Sequence, residues 1–325
     1  MPLLEPIHIW QKCHGCGMRP IVGKRFECQD CPVGSQTSLC ERCYERYTAG
    51  LVEHPPEDNG VVHFPCLPHR FAATMGSVAS EYGRWLEVPD AKATSLFTPR
   101  GRVARPEFCC EKESYYGTCA FSIRQENGDS PIVLTALHVM DELIRHKHVD
   151  CHPKNTNYTG RELPRLIKKV TLYDLSTTQW FLAPLGEAMP MLILPNARTG
   201  EKEPYSWRDI AGFRASVFLN LSPMSLAKNS PSAGDPIWLV GGDGERNWTS
   251  PGAQATIVEI TDQMLIFRFR ETETSWRGSS GAPLVNASNE VVGINTGAGF
   301  FQGKRFGHGN PLVSIRNHLD RRIER

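Results

Sequence analysis

The cysteines constrain this chain more than any other residue type. Six of its 11 cysteines lie between residues 13 and 43, in pairs whose members are separated by two residues. The pairs are Cys13 with Cys16, Cys28 with Cys31, and Cys40 with Cys43. Such C-x2-C pairs with histidines nearby are typical of tetrahedral zinc sites, whereas disulfides are rare in a reducing compartment. We therefore expect zinc to organise this stretch, because so small a segment cannot be stabilised by apolar burial alone.

Counting ligands indicates two zinc ions. Each structural zinc takes four ligands, so two ions need two histidine nitrogens in addition to the six thiolates. His54 and His63 follow the last cysteine pair closely. His69, in the stretch HFPCLPHRF, is an alternative ligand that can replace either of them.

The run CHGCGMRPIVGKRFECQDC, followed by SLCERCY and two histidines, resembles a ZZ-type zinc finger. In that family the first and third cysteine pairs hold one zinc, while the second pair and two histidines hold the other. The resemblance implies a finger over residues 1–64 that binds a protein or peptide. It implies one ion held by Cys13, Cys16, Cys40 and Cys43, and a second held by Cys28, Cys31, His54 and His63.

Composition limits the function classes. The chain has 325 residues, of which 40% are hydrophobic, and it carries 36 basic against 35 acidic side chains. A near-zero net charge disfavours a nucleic-acid reader, since such domains are usually strongly basic. The apolar runs fall short of the roughly 18 residues of a membrane span, and the first residues lack the features of a signal peptide. We therefore expect a cytoplasmic protein, not bound to membranes, whose partners are proteins or peptides.

Residues 65–110 are predicted to form a linker that packs partly on its neighbours. Proline and glycine recur there in PCLP, VPD and TPRGRVARP, and one short helix is predicted around VASEYGRWLE. The basic run RGRVAR is predicted to be a solvated loop.

Residues 111–325 are predicted to form a larger domain rich in β-strands. Short apolar or alternating runs separated by turn residues are typical of strands in an antiparallel barrel or pair of barrels. The predicted strands are CAFSI, PIVLTAL, KKVTLYDL, ASVFLNL, DPIWLVGG, ATIVEI, QMLIFRF, APLVN and EVVGINT. The spacing of Leu312, Ile315, Leu319 and Ile323 predicts one apolar face of a terminal helix.

Three segments of this domain carry the side chains that acyl transfer requires. A serine nucleophile needs a histidine to accept its proton, an acid to orient that histidine, and N–H donors for the oxyanion. In RGSSGAPL, glycines present Ser280, and the N–H groups of Gly278 and Ser280 can converge on one point. LTALHV places His138 directly after an apolar strand. Asp209 in SWRDIAGF precedes apolar residues that can seat a carboxylate, and Asp174 in VTLYDLSTT is the alternative acid.

His138, Asp209 and Ser280 occur in this order, each within the segment quoted above. This pattern resembles the chymotrypsin-like (trypsin-fold) serine endopeptidases over roughly residues 115–325. G-x-S-G-x-PL and EVVGINTG are closer to HtrA-like and other intracellular members than to digestive enzymes. The resemblance implies a mainly β fold with two antiparallel barrels and a C-terminal helix. It also implies that Ser280 is the nucleophile, His138 the general base and then acid, and Asp209 the orienting carboxylate. Gly278 and Ser280 would form the oxyanion hole.

The same resemblance implies where a substrate binds. Asn295, Thr296 and Gly297 fall in the substrate-binding strand, and Thr274 falls at the base of the primary specificity pocket. Without a carboxylate there, a bound Lys or Arg side chain would be desolvated unpaired, so we expect small or apolar residues before the scissile bond. Ser279 stands where digestive members carry an aspartate, so activation by a new amino terminus cannot operate.

The sequence thus predicts an intracellular serine endopeptidase joined to a zinc finger that recruits a protein or peptide. Two structural zinc ions are expected, and catalysis requires no metal. The alternative is a non-catalytic scaffold in which both domains bind proteins. A RING-type ligase is disfavoured, because the cysteine and histidine spacings do not match.

Overall fold

The structure is a computed structural model, and it describes fourteen stretches of the chain. They are residues 6–8, 11–28, 37–51, 70–74, 77–91, 101–111, 114–125, 130–140, 161, 163–175, 183–197, 207–241, 253–270 and 278–323. The chain forms two compact units, which are taken separately below. The first is Met1–Glu87 with Gly299–Phe306, and the second is Val88–Ala298 with Gly307–Arg325. Within the stretches just given, no helix has the length and apolar character needed to cross a membrane.

Short strands and two helices build the first unit. They are β1 Pro6–His8, β2 Ile21–Val22, β3 Arg25–Cys28, β4 Ser38–Cys40, α1 Glu41–Thr48, β5 Phe71–Thr74, β6 Ser77–Val78 and α2 Ala79–Glu87. Strand β1 lies between β2 and β6, and β3 lies between β4 and β5, with every pairing antiparallel. The small buried cluster consists of Cys13, Ile21, Leu39, Cys40 and Cys43. Since three of these five side chains are cysteines, apolar burial alone is a weak source of stability here.

The first barrel of the second unit is a ring of six strands with a seventh at its edge. Its strands are β7 Val103–Cys109, β8 Ser114–Tyr116, β9 Ala120–Ile123, β10 Ile132–Thr135, β11 Lys169–Asp174, β12 Pro184–Met191 and β13 Ala211–Ala215. They follow the order β11-β12-β13-β10-β9-β7, and β7 pairs with β11 to close the ring. Strand β8 pairs with β7 outside the ring. A short helix, α3 Leu163–Leu166, precedes β11.

The second barrel is closed in the order β14-β15-β16-β19-β18-β17. Its strands are β14 Pro236–Leu239, β15 Ala253–Ile260, β16 Leu265–Phe269, β17 Pro283–Val285, β18 Val291–Phe301 and β19 Lys304–Pro311. One continuous cluster of buried apolar side chains runs through both barrels. The predicted fold class, mainly β with two barrels and a C-terminal helix, is therefore confirmed.

The C-terminal helix α4, Leu312–Asp320, follows β19 directly. Leu312, Ile315 and Leu319 are buried, as the spacing predicts. Ile323 does not belong to the helix: it lies beyond its end, 43% exposed, in a β-bridge with Ile193. The other predicted helix, around VASEYGRWLE, is confirmed as α2.

Two local predictions are wrong. ASVFLNL does not form a strand, because β13 ends at Ala215 and the chain turns. Ser216 causes the turn: its Oγ accepts the Phe218 N–H at 3.2 Å and its carbonyl accepts the Leu219 N–H at 3.0 Å. Such local serine bonds replace the ladder bonds of a strand, and Phe218 is left 87% exposed. RGRVAR is not a solvated loop either, since Val103 begins β7 as a buried residue.

Candidate active site and zinc centre

His138 is presented by a rigid strand end. Strand β10 is buried along its whole length, and a 3-10 turn, Leu137–Met140, follows it. Leu137, Val139 and Met140 are buried in that turn, whereas the His138 side chain is 38% exposed. The apolar neighbours therefore anchor the turn and leave the imidazole facing the surface.

Asp209 is brought to His138 by strand pairing. Strand β13 begins two residues after Asp209 and pairs antiparallel with β10, so that Ala211 lies opposite Thr135. Asp209 Oδ2 lies 2.6 Å from His138 Nδ1, and Asp209 Oδ1 accepts the His138 main-chain N–H at 2.8 Å. Both carboxylate oxygens thus contact one residue, which fixes the plane of the ring and favours a proton on Nδ1. That tautomer leaves Nε2 as the basic nitrogen.

The environment of Asp209 stabilises its charge. Burial opposes ionisation, but the attraction of His138 and the hydrogen bonds from His138 and Leu137 outweigh it, so the pKa of Asp209 lies below its usual value. An ionised Asp209 is suited to stabilise an imidazolium at His138. Asp174, the alternative acid, lies at the end of β11, where its N–H bonds to the Ala183 carbonyl.

Ser280 lies on a tight turn that packs against the end of β10. Gly278 and Gly281 flank it with φ of +83° and +82°, a region that favours glycine. A Cβ on Gly281 would lie 2.3 Å from Thr135 Oγ1 and 3.1 Å from the Ala136 nitrogen, so no side chain fits at that position. Since Ala136 is two residues before His138, the turn brings Ser280 to the strand end that carries the histidine.

Side chains from the first barrel hold the main chain of the turn. The Ser280 carbonyl accepts the Thr118 hydroxyl at 2.6 Å and the Cys119 N–H at 3.1 Å. The Cys119 thiol also lies 3.4 Å from the Gly278 carbonyl. The sequence pattern does not identify these contacts, because they are directed at main-chain carbonyls more than 150 positions away along the chain.

The predicted substrate-binding strand runs beside this turn. Asn295 is buried, and its Nδ2 donates to the Ser279 carbonyl at 3.0 Å and lies 3.1 Å from Ser279 Oγ. The Gly281 N–H donates to the Asn295 carbonyl at 2.8 Å. Asn295 is therefore bonded to the turn that carries Ser280, and a direct contact with substrate stays a prediction. Thr274 lies outside the described residues.

A second histidine, His308 on β19, supports the same strand. It is buried, its Nδ1 lies 2.9 Å from Thr296 Oγ1, and a Cβ on Gly297 would lie 2.4 Å from its Nε2. Burial is the main cause that lowers the pKa of His308 to about 3; Asp209 opposes this effect and His138 adds to it. His308 is therefore neutral at physiological pH, and its imidazole contacts the Thr296 hydroxyl and lies against Gly297.

The first unit contains a compact group of four thiols. The Sγ atoms of Cys13, Cys16, Cys40 and Cys43 all lie within 4.8 Å of one another. Cys40 ends β4 and Cys43 lies in the first turn of α1, opposite the loop that joins Cys13 to Cys16. A Cβ on Gly15 would lie 2.9 Å from Cys43 Sγ, so the loop closes tightly over the sulfurs. Four thiolates in this spacing fit one tetrahedral zinc ion.

The thiols need a cation to ionise together. Burial opposes ionisation of Cys13, but N–H groups, chiefly those of Cys40 and Cys16, lower its pKa to about 7. Burial and the neighbouring sulfurs raise the pKa of Cys43. A bound zinc removes this conflict, since it stabilises the thiolate form of every ligand. Of the second predicted site the structure describes only Cys28, which is buried at the end of β3. Cys31, His54, His63 and the alternative His69 lie outside the described residues.

The second unit thus carries a paired histidine and aspartate in a two-barrel β fold, and the first unit carries four clustered thiols. Comparison with known families agrees with both features. Residues 117–294 match the family model described as a trypsin-like peptidase domain, which covers more than half of the chain. The chain therefore belongs to the trypsin-like peptidase family. Residues 7–51 match the model for a ZZ-type zinc finger. Both resemblances drawn from the sequence are confirmed.

Solved structures similar to this chain include microbial serine proteases. The active form of the Rv3671c protease from M. tuberculosis has 16% identity over 68% of this chain and 80% of its own, with a TM-score of 0.40. The serine endoprotease from Yersinia pestis has 16% identity over 74% of this chain and 65% of its own, with a TM-score of 0.42. The thermostable serine protease AL20 from an extremophilic microorganism has 12% identity over 67% of this chain and 95% of its own, with a TM-score of 0.41. A search of curated protein sequences found no match.

Proposed function

We propose that this chain is a serine endopeptidase with Ser280, His138 and Asp209 as its catalytic triad. The observation that carries the proposal is the Asp209 carboxylate bonded to both the ring Nδ1 and the main-chain N–H of His138. The turn that bears Ser280 packs on the strand leading into that histidine. A trypsin-like domain supplies the context in which such a pair acts on a serine.

In the proposed reaction, Ser280 Oγ attacks the carbonyl carbon of a peptide bond while His138 Nε2 takes the hydroxyl proton. The carbonyl oxygen becomes an oxyanion, which the N–H groups of Gly278 and Ser280 stabilise. The C–N bond then breaks, His138 returns its proton to the leaving amine, and an acyl-enzyme ester remains. Water, deprotonated by the same Nε2, hydrolyses the ester and restores Ser280. Asp209 stays ionised throughout and stabilises the imidazolium.

Replacing the carboxylate tests both the reaction and the identity of the acid. Asp209→Asn should lower kcat for peptide hydrolysis about 10⁴-fold, because the amide favours the wrong tautomer of His138. Steady-state kinetics on an unstructured peptide library measure the effect. Asp174→Asn is the matched control, and it should keep kcat close to that of the wild type. If Asp174→Asn is inactive and Asp209→Asn is active, the assignment of the acid is wrong; if the wild type cuts no peptide, the non-catalytic scaffold becomes the better description.

We further propose that the finger binds a protein or peptide and tethers the peptidase to it. The proposal is supported by the ZZ-type match and by the tight group of four thiols. A second structural zinc is proposed on Cys28, Cys31, His54 and His63, and a cytoplasmic location stays a prediction. Tethering raises the effective concentration of a substrate without new contacts at the active site.

A finger variant tests the tether. Cys16→Ser should slow cleavage of natural protein substrates, identified by new termini that depend on Ser280, at least tenfold more than cleavage of short peptides. Termini mapping and peptide kinetics on the same preparation give the two rates. Equal slowing of both substrate classes would contradict a tethering role.

A further inference from the structure

We propose that the C-terminal segment positions the catalytic acid: Asn310, aided by Ser314 and His318, holds the main chain on either side of the Asp209 carboxylate. This inference rests on the proposed peptidase function. None of the three residues needs to touch substrate, Ser280 or the imidazole of His138. They are positioning residues that act through residues 207–209.

The first contact is made from the end of β19. Asn310 is 1% exposed, and its Nδ2 donates to the main-chain carbonyl of Asp209 at 2.7 Å. The main chain of Asn310 is itself fixed, because a Cβ on Gly293 of β18 would lie 2.7 Å from the Asn310 carbonyl oxygen. Asn310 therefore connects a closely packed part of the second barrel to the residue that carries the carboxylate.

The second contact is made from α4. Ser314 and His318 are one helical turn apart, so their side chains lie on the same face. The Ser314 hydroxyl lies 3.2 Å from the Trp207 carbonyl, and His318 Nε2 lies 2.9 Å from the same oxygen. Two side chains of one buried face thus bind the carbonyl two residues before Asp209.

His318 acts here as a neutral donor. A carbonyl oxygen only accepts, so the proton must sit on Nε2. Burial is the main cause that lowers the pKa of His318, and Arg321 and Arg208 add to it, whereas the bond to Trp207 opposes it. Within the part of the chain that the structure describes, the buried Nδ1 has no hydrogen-bond partner. A proton there would be unsatisfied, which favours the tautomer that binds Trp207.

These bonds matter because the Asp209 carboxylate must be placed precisely against His138. The two carboxylate oxygens must meet a ring nitrogen at 2.6 Å and a main-chain N–H at 2.8 Å at the same time. Strand β13 fixes the chain that follows Asp209. Asn310 fixes the main-chain carbonyl of Asp209. Ser314 and His318 fix the main-chain carbonyl of Trp207. A shift of about 1 Å in such a group costs on the order of 100-fold in rate.

The test compares substitutions of Asn310 with a substitution of Arg316, whose side chain also donates to main-chain carbonyls but not to those of residues 207–209. Asn310→Leu replaces the amide with an apolar side chain of similar size, and Asn310→Ala removes the side chain beyond Cβ, so both remove the donor to the Asp209 carbonyl. Each should lower kcat 10- to 100-fold, on the order expected for a misplaced catalytic group, with KM within about twofold of the wild type. The acidic limb of kcat against pH should also move to lower pH, because the imidazolium loses part of its partner.

Arg316, on the same helix as Ser314 and His318, is the control. Its guanidinium donates to the main-chain carbonyls of Ala227 and Lys228 at 2.6 and 3.0 Å. Arg316→Gln should therefore lower the unfolding temperature yet leave kcat and the pH limb unchanged. If both substitutions change kcat in proportion to their loss of stability, or if Asn310→Ala folds and keeps full kcat, the positioning role is overturned.

An NMR measurement needs no substrate, and it therefore tests the positioning role independently of peptidase activity. The proton between His138 Nδ1 and Asp209 should give a low-field NMR signal, weakened or lost in the Asn310 variants and kept in Arg316→Gln. That result, in a chain that cuts no peptide, would support the positioning role and reject the peptidase. An unchanged signal in Asn310→Leu and Asn310→Ala would reject the positioning role, whatever the activity.

Discussion

Ser280→Ala should lower kcat for peptide hydrolysis on the order of 10⁵-fold, because the acyl-enzyme cannot form without the hydroxyl. The fold should be unchanged, because the main-chain carbonyl of Ser280 accepts the hydrogen bonds from Thr118 and Cys119, and alanine keeps that carbonyl. Steady-state kinetics with a matched unfolding curve measure both properties.

The neighbouring serine is the control for this substitution. Ser279 lies on the same turn, but it is 3% exposed and its Oγ faces the Asn295 amide. Ser279→Ala should therefore retain kcat within about tenfold, the cost of one lost hydrogen bond. If Ser279→Ala is the inactive variant, the nucleophile has been assigned to the wrong serine.

Loss of one thiolate should unfold the first unit. Structural zinc supplies about 10–16 kcal/mol in small fingers. Among the residues that the structure describes, Ile21 and Leu39 are the fully buried members of this cluster other than cysteine. Cys40→Ser should therefore release the zinc held by the four thiolates and expose residues 1–87 to limited proteolysis. Zinc content by atomic emission and the digestion pattern are the measurements, and a strong chelator should have the same effect on the wild type.

Cys109→Ser provides the matched control for the zinc experiment. Cys109 ends β7 in the second unit and is a half-buried free thiol. Its replacement should leave the zinc content and the protease resistance of residues 1–87 unchanged. A Cys40→Ser protein that keeps its full zinc content and resists digestion would contradict a structural role for the group of four thiols.

The fold could be predicted where short apolar runs lie between turn residues. CAFSI, PIVLTAL and QMLIFRF became β9, β10 and β16, because buried apolar runs between turn residues have few other solutions. Strand β19 could not be predicted, since KRFGHGNP carries glycines that usually signal a turn. Those glycines are required by close packing: a Cβ on Gly309 would lie 2.2 Å from the Ile294 carbonyl. ASVFLNL shows the opposite error, an apolar run that a serine bends into a turn.

The candidate site could be predicted as far as its reactive groups and no further. The roles proposed for His138, Asp209 and Ser280 can be filled by few residue types, so the sequence around each of these residues is recognisable. Asn310 and Thr118 act through main-chain carbonyls, and any donor of suitable length at a suitable place would serve. Such roles depend on how the barrels pack and leave no local pattern in the sequence.

The proposed reaction requires Ser280 to be an activated nucleophile, and covalent labelling tests this most directly. The folded chain would be incubated with a fluorophosphonate, its intact mass recorded and the adduct mapped by digestion. We expect one adduct per chain, on Ser280, absent in Ser280→Ala and formed far more slowly in Asp209→Asn. A folded wild-type chain that takes up no label, or takes it up on another residue, would contradict the account.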